Sequence, residues 1–188
     1  VIDIVSEKRN MLAADEKSLS SPATVEKLIQ KCTTILDFLR SLEGRIAKSS
    51  EESKNLIQMQ YPLHEKVEET CKTMIEAWES SLDFCETQMA TIRNREAYLK
   101  SIKIIQDQQD ALQIIISCVD IDPPPTTEAE IDAALTQHED HKAAIQIQHD
   151  ILKSSEEKVV ECQTESEILN EKLQENFEKA YFHVLPSL

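Results

Sequence analysis

Residues 25–56 read VEKLIQKCTTILDFLRSLEGRIAKSSEESKNL, and their spacing decides the fold. Apolar or small side chains recur at Val25, Leu28, Cys32, Ile35, Leu39, Leu42, Ile46, Ser49, Ser53 and Leu56. The steps alternate three and four without a slip, which is the heptad seam of a helix that wraps around others. Only the two serines are polar. Gly44 lies off the seam, where its low helix propensity is tolerated. Ser20-Ser21-Pro22 supplies an N-cap and a proline at the first helical position, and Tyr61-Pro62 supplies a stop. The pattern predicts a helix over 22–58.

The same period continues towards the C-terminus through Leu63, Val67, Cys71, Met74, Trp78, Leu82, Cys85, Met89, Ile92, Leu99, Ile102, Ile105, Leu112, Ile115 and Val119. No Gly or Pro interrupts 63–122. Unbroken, that is a helix of about 60 residues and about 90 Å. No single core is that deep, so its first half is expected in one bundle and its second half in another. Asp122-Pro123-Pro124-Pro125-Thr126 ends it, since prolines cannot continue a helix. Thr127-Glu128-Ala129-Glu130 is a capping box that restarts one. Thr164-Glu165-Ser166-Glu167 has the same form and is expected to start a further helix.

Composition agrees and removes rivals. The 188 residues contain one Gly, which cannot serve the turns of an ordinary α/β or all-β chain and leaves no Gly-rich phosphate loop. A net charge of −15 opposes nucleic acid and anionic bilayers. The five cysteines, Cys32, Cys71, Cys85, Cys118 and Cys162, are widely spaced and form no C-x-x-C pair. Four of them fall on apolar stripes, so they read as small buried hydrophobes in a reducing, intracellular compartment. No signal peptide is visible, and the apolar stretch around Ile114-Ile115-Ile116 is too short to span a bilayer. The chain opens in mid-pattern without an initiator Met, as expected of a segment from something longer.

Sliding the chain by 103 positions brings landmarks into register. Thr24 falls on Thr127, Leu28 on Ile131, Cys32 on Leu135, Leu42 on Ile145 and Leu56 on Val159. The Tyr61-Pro62 break falls on the Thr164 box; Met74 then meets Phe177, Trp78 meets Tyr181 and Leu82 meets Leu185. Two tandem units of three helices each follow. The first comprises helices over about 1–19, 22–58 and 63–92; the second, over about 93–121, 127–162 and 165–185. Units 1–92 and 93–188 share the unbroken central helix, and the outermost helices read as truncated.

This pattern resembles spectrin repeats. Glu76-Ala77-Trp78-Glu79-Ser80-Ser81-Leu82 is similar to that family's Trp-centred motif on its third helix, and Gln137-His138-Glu139 to a turn of its second. Two departures mark a divergent member. The first helix of unit two has no Trp near Asp107 to Leu112, and Tyr181 stands where the last helix would carry one. The resemblance implies an all-α fold of two three-helix left-handed coiled coils joined by a continuous helix. It also implies a monomeric rod within a giant cytoplasmic cytoskeletal linker of nesprin, plakin or dystrophin type. Such parents are actin-associated or reach the outer nuclear envelope or another membrane, and their partners are cytoskeletal or scaffold proteins.

The expected core residues are Leu28, Cys32, Ile35, Leu39, Leu42, Ile46, Met74, Trp78 and Leu82 in unit one. In unit two they are Ile131, Leu135, Ile145, Val159, Phe177 and Tyr181. No catalytic, cofactor-binding or metal-binding residue is expected. His138 and His141 share a helix face, but no H-E-x-x-H motif or neighbouring cysteine supports zinc. His138 and His149 fall instead on the expected seam of the second unit, which reads as more polar than its counterpart in the first; a seam made sensitive to acid by buried neutral imidazoles is the lesser alternative. The acidic runs Glu51-Glu52, Glu65 to Glu69 and Glu156-Glu157 read as solvated faces, with Glu68 spaced to meet Lys72. Arg93, Arg95, Lys100 and Lys103 form a basic cluster at the junction, too small to recruit nucleic acid. The rival architecture is a compact five-helix bundle of talin or vinculin type that holds a partner helix in a groove. A membrane-bending helical dimer needs a basic concave face, which −15 disfavours.

Overall fold

A computed structural model describes residues 22–118 and 124–184, with side chains as far as 117 in the first stretch and 176 in the second. The expected helix over 1–19 and the side chains of Cys118, Phe177, Tyr181 and Leu185 lie outside the described residues. Those residues are all-α: α1 (Pro22–Ser41), α2 (Glu43–Gln58), α3 (His64–Cys118) and α4 (Glu128–Val184).

The heptad stripe faces inward from Val25 to Ile46 and again at Ser53, while Ser49 is exposed and Leu56 half-buried. Val25, Leu28, Cys32, Ile35, Leu36 and Leu39 are buried from α1, and Ile46 and Ser53 from α2. Leu42, between them, is buried too. Where one helix is expected over 22–58, there are two, because the hydrogen-bond ladder is diverted at Leu42. The turn after α2 is a helix-terminating motif without glycine. Gln60 takes the left-handed conformation at φ 51°, while Gln60 N–H donates to Ile57 O and Tyr61 N–H to Leu56 O. Those two bonds satisfy carbonyls that the helix end would otherwise leave open.

Helix α3 runs 55 residues through the expected junction without a break. Its first half buries Phe84, Cys85, Met89 and Ile92. Polar Ser81 and Thr87 are buried beside them, and their hydroxyls donate to Ala77 O and Asp83 O of the same helix at 2.7 and 2.8 Å. Back-bonding of this kind lets a hydroxyl sit in a core without an orphaned donor.

The capping box before α4 forms as its sequence predicts. Glu130 Oε2 accepts from Thr126 N–H at 2.8 Å and Thr127 N–H at 3.0 Å, and Thr127 Oγ1 accepts from Glu130 N–H at 3.3 Å. Those backbone N–H groups hold the Glu130 carboxyl below its ordinary range. The matching box at Thr164 does not form, and α4 passes through it for 57 residues in all. The Thr164 hydroxyl donates back to Val160 O at 3.1 Å instead of accepting from the following turn. No proline precedes it to free the backbone, so a cap-like tetrad becomes ordinary helix.

The chain divides into two compact units, Val1–Glu96 with Glu165–Leu188, and Ala97–Thr164. The last segment, expected to close the second unit, therefore groups with the first. There Asn176 Nδ2 donates to Thr87 Oγ1 at 3.3 Å, with both residues buried, and Lys172 lies 3.8 Å from Asp83. The second unit, among the described residues, contains stretches of two helices where three are expected.

Candidate functional site

Trp78 projects from α3 towards α1 and is half-buried. Its indole N–H donates to Leu39 O at 2.8 Å. Leu39 is one of the most deeply buried side chains, and the Arg40–Glu86 ion pair beside it closes at 2.9 Å. The expected core residues Leu28, Cys32, Ile35, Leu39, Leu42 and Ile46 are buried, whereas Met74, Trp78 and Leu82 are half-buried. The polar bond of Trp78 leaves no periodic trace in the sequence; only its place on the stripe is visible.

Burial pushes the Cys32 thiol up to about 11, against a smaller opposing pull from Lys31. A thiol held protonated is a poor nucleophile and a poor metal ligand, so Cys32 acts as packing. Cys85 and Cys162 are also buried. Among the described residues, no cluster of three or more His, Cys, Asp or Glu is placed to hold a metal ion. No described helix is long and apolar enough to cross a membrane.

Among the described residues, the open apolar surfaces include two that bear on the expected core. The first is a groove of about 520 Å³ between α2 and the start of α3, floored by Ser53, Leu56, Val67 and Met74 and rimmed by Tyr61 and Leu63. The second is a stripe on α4. Ile131, Leu135 and Ile145, expected in a core, are 46, 58 and 39% exposed. The cause is a change of phase. Ala134, His141, Ala144, Gln148, Leu152, Ser155, Val159 and Cys162 are the buried or half-buried positions of this stretch. Their heptad lies one strip over from the expected one. Two helical stretches can bury one strip each; a bulky second strip stays outside. Val159 alone of the expected α4 positions with described side chains is half-buried.

The histidines follow the same shift. His138 and His149 are exposed, and His141 is half-buried. His138 and His149 therefore do not sit on a buried seam. On the acidic faces, Lys72 pairs with Glu76 at 3.8 Å rather than with Glu68, and Lys48 with Glu52 at 3.8 Å. Exposed pairs of this kind contribute little to stability.

What the described surface offers is helix faces and shallow grooves. The spectrin-repeat family model matches residues 1–94. No curated protein and no solved structure matches the chain. The match spans half of the 188 residues and takes in the heptad seam, the Tyr61-Pro62 turn and the Trp78 motif, and on that ground the chain belongs to the spectrin repeat family, whose members are structural, non-catalytic helical bundles.

Proposed function

We propose that this chain is a spacer and scaffold segment of a large intracellular cytoskeletal linker, without catalytic activity of its own. The spectrin-repeat match over 1–94, with α3 running past its end, supports this reading. Units that contact only their neighbours gain length by repetition, and a helix shared between units carries bending from one to the next. In this role the chain is a monomer of the cytoplasm. The parent protein supplies its attachment to actin, the nuclear envelope or another membrane.

Small-angle X-ray scattering over a concentration series tests the reading. At 1.5 Å per residue α3 alone spans about 82 Å, and a monomer with a maximum dimension of about 100 Å is expected. A particle of roughly 60–70 Å, the length of one folded-back bundle, would require α3 to break. It would move the reading to a compact talin- or vinculin-type binding module. The grouping of Glu165–Leu188 with the first unit favours that second reading.

The exposed strip of α4 supports a docking role beside the spacer role. Ile131, Leu135 and Ile145 lie along one side of the helix and suit the apolar face of a partner helix. Ile131→Ser with Leu135→Ser is expected to change stability by less than about 1 kcal/mol, as surface replacements do. A loss of several kcal/mol in denaturant unfolding would place both residues in a core instead.

A further inference from the structure

Helix α3 is continuous, yet its two halves are packed differently. Before Glu96 it buries Phe84, Cys85, Met89 and Ile92. Beyond Glu96, among the described side chains, it buries Ser101 alone. The stretch of α4 in the same second unit repeats this, since its buried residues are Ser155 and Cys162. Leu99, Ile102, Leu112, Ile115, Leu152 and Val159 of that unit are half-buried, so each contributes only part of what a core side chain does.

Polar residues take the centre instead. Ser101 and Ser155 are 6 and 8% exposed and line one groove of about 580 Å³ with Ile104 and Lys158, so the two helices meet there. One heptad nearer the connecting loop, α3 carries Gln108 and α4 carries Gln148. Equal heptad steps from a common layer of an antiparallel pair lead to the next common layer. The amide oxygens of both glutamines are buried and meet no donor of the chain. A buried acceptor left unmet destabilises the state that buries it. In the first unit, by contrast, buried Asn176 and Thr87 bond to each other. Few buried apolar contacts and an unmet polar seam mark a segment that opens before the rest.

We infer that the paired stretches of the second unit, 97–117 of α3 and 128–164 of α4, open and close on their own while the first unit stays closed, and that the glutamine layer sets how readily they do so. In a spacer such a unit is compliant where the first is stiff; the opening itself does not depend on the spacer reading.

Hydrogen exchange on the full chain, resolved by peptide, tests it. Helix α3 carries its own control, because 80–94 and 97–112 belong to one helix. Amides of 97–112 and 140–160 are expected to exchange at least about tenfold faster than those of 80–94. Equal rates along α3 overturn the separate opening. Gln108→Leu with Gln148→Leu removes both unmet acceptors and adds apolar surface to the seam. It is expected to slow 97–112 and 140–160 by about tenfold or more and to leave 80–94 unchanged. Unchanged or faster exchange in 97–112 overturns the role of the glutamines, and equal slowing in 80–94 overturns the independence of the unit. Leu112→Ala with Leu152→Ala works from the opposite side: 97–112 should quicken at least about threefold while 80–94 holds its rate. No change, or equal quickening in both, overturns the inference.

Discussion

Leu39→Ala is expected to cost about 2–5 kcal/mol, the range for emptying a buried leucine site. Leu39 is 1% exposed and sits at the centre of the α1 seam. Its removal leaves a cavity whose walls cannot close easily, because Trp78 and Leu42 are both bonded to the Leu39 backbone carbonyl. For a chain of this size the melting midpoint should fall by roughly 10 °C, at 2–4 °C for each kcal/mol. Phe38→Ala is the control. Phe38 is the larger side chain but is 36% exposed, so its truncation should cost visibly less. Equal effects at the two positions would mean that the seam does not face inward at residue 39.

The second large effect is expected at Ala97→Pro. Ala97 opens the second compact unit yet lies in the interior of α3, which is continuous from His64 to Cys118. Proline there removes a backbone donor, and its ring meets the carbonyl of Arg93, at a cost of about 3 kcal/mol or more. A fall in melting midpoint with a loss of helical signal at 222 nm is the expected outcome. If the two units were joined by a loop near residue 97, the substitution would be tolerated with a change below about 0.5 kcal/mol, like other surface replacements. The experiment therefore reads continuity, which scattering reads only as length.

What could be read beforehand was whatever repeats. The stripe of 25–56 is visible because each seam position restates the same period, and the buried set from Val25 to Ile46 follows it. The capping box at Thr127 was legible because prolines before it free the N–H groups that Glu130 then accepts. Features set by a single side-chain choice were not legible. The helix that the heptads describe as whole is interrupted at Leu42, whose N–H turns to Leu39 O, and no residue type there signals it. Gln60 enters a conformation usually given to glycine, so the residue type gives no signal of it. Thr164 carries a cap-like tetrad and makes no cap, since its hydroxyl finds Val160 O first.

The stripe on α4 failed for a different reason. Several strips on that helix carry enough apolar residues to serve as a seam, among them one through Ile131 and Ile145 and one through Ala134 and Gln148. The choice between them depends on what stands opposite. With one helical stretch facing it in the second unit, small side chains such as Ala134, Ala144 and Ser155 allow close approach. The bulkier isoleucines are left outside. No candidate catalytic or metal residue was expected, and the open surfaces, being apolar, were visible only as hydrophobic positions without an assigned side.

The bond between Asn176 and Thr87 spans 89 positions of sequence. During synthesis the Thr87 side of α3 emerges long before the segment that covers it. At about 5–20 residues per second, roughly 5–20 s separate the two. Through that interval the Thr87 side of α3 lacks the partner that Asn176 later supplies, so the nascent chain presents an unfinished face there. Order of manufacture, and not only final contacts, thus bears on this protein: the Thr87 side of α3 is completed only once residue 176 arrives.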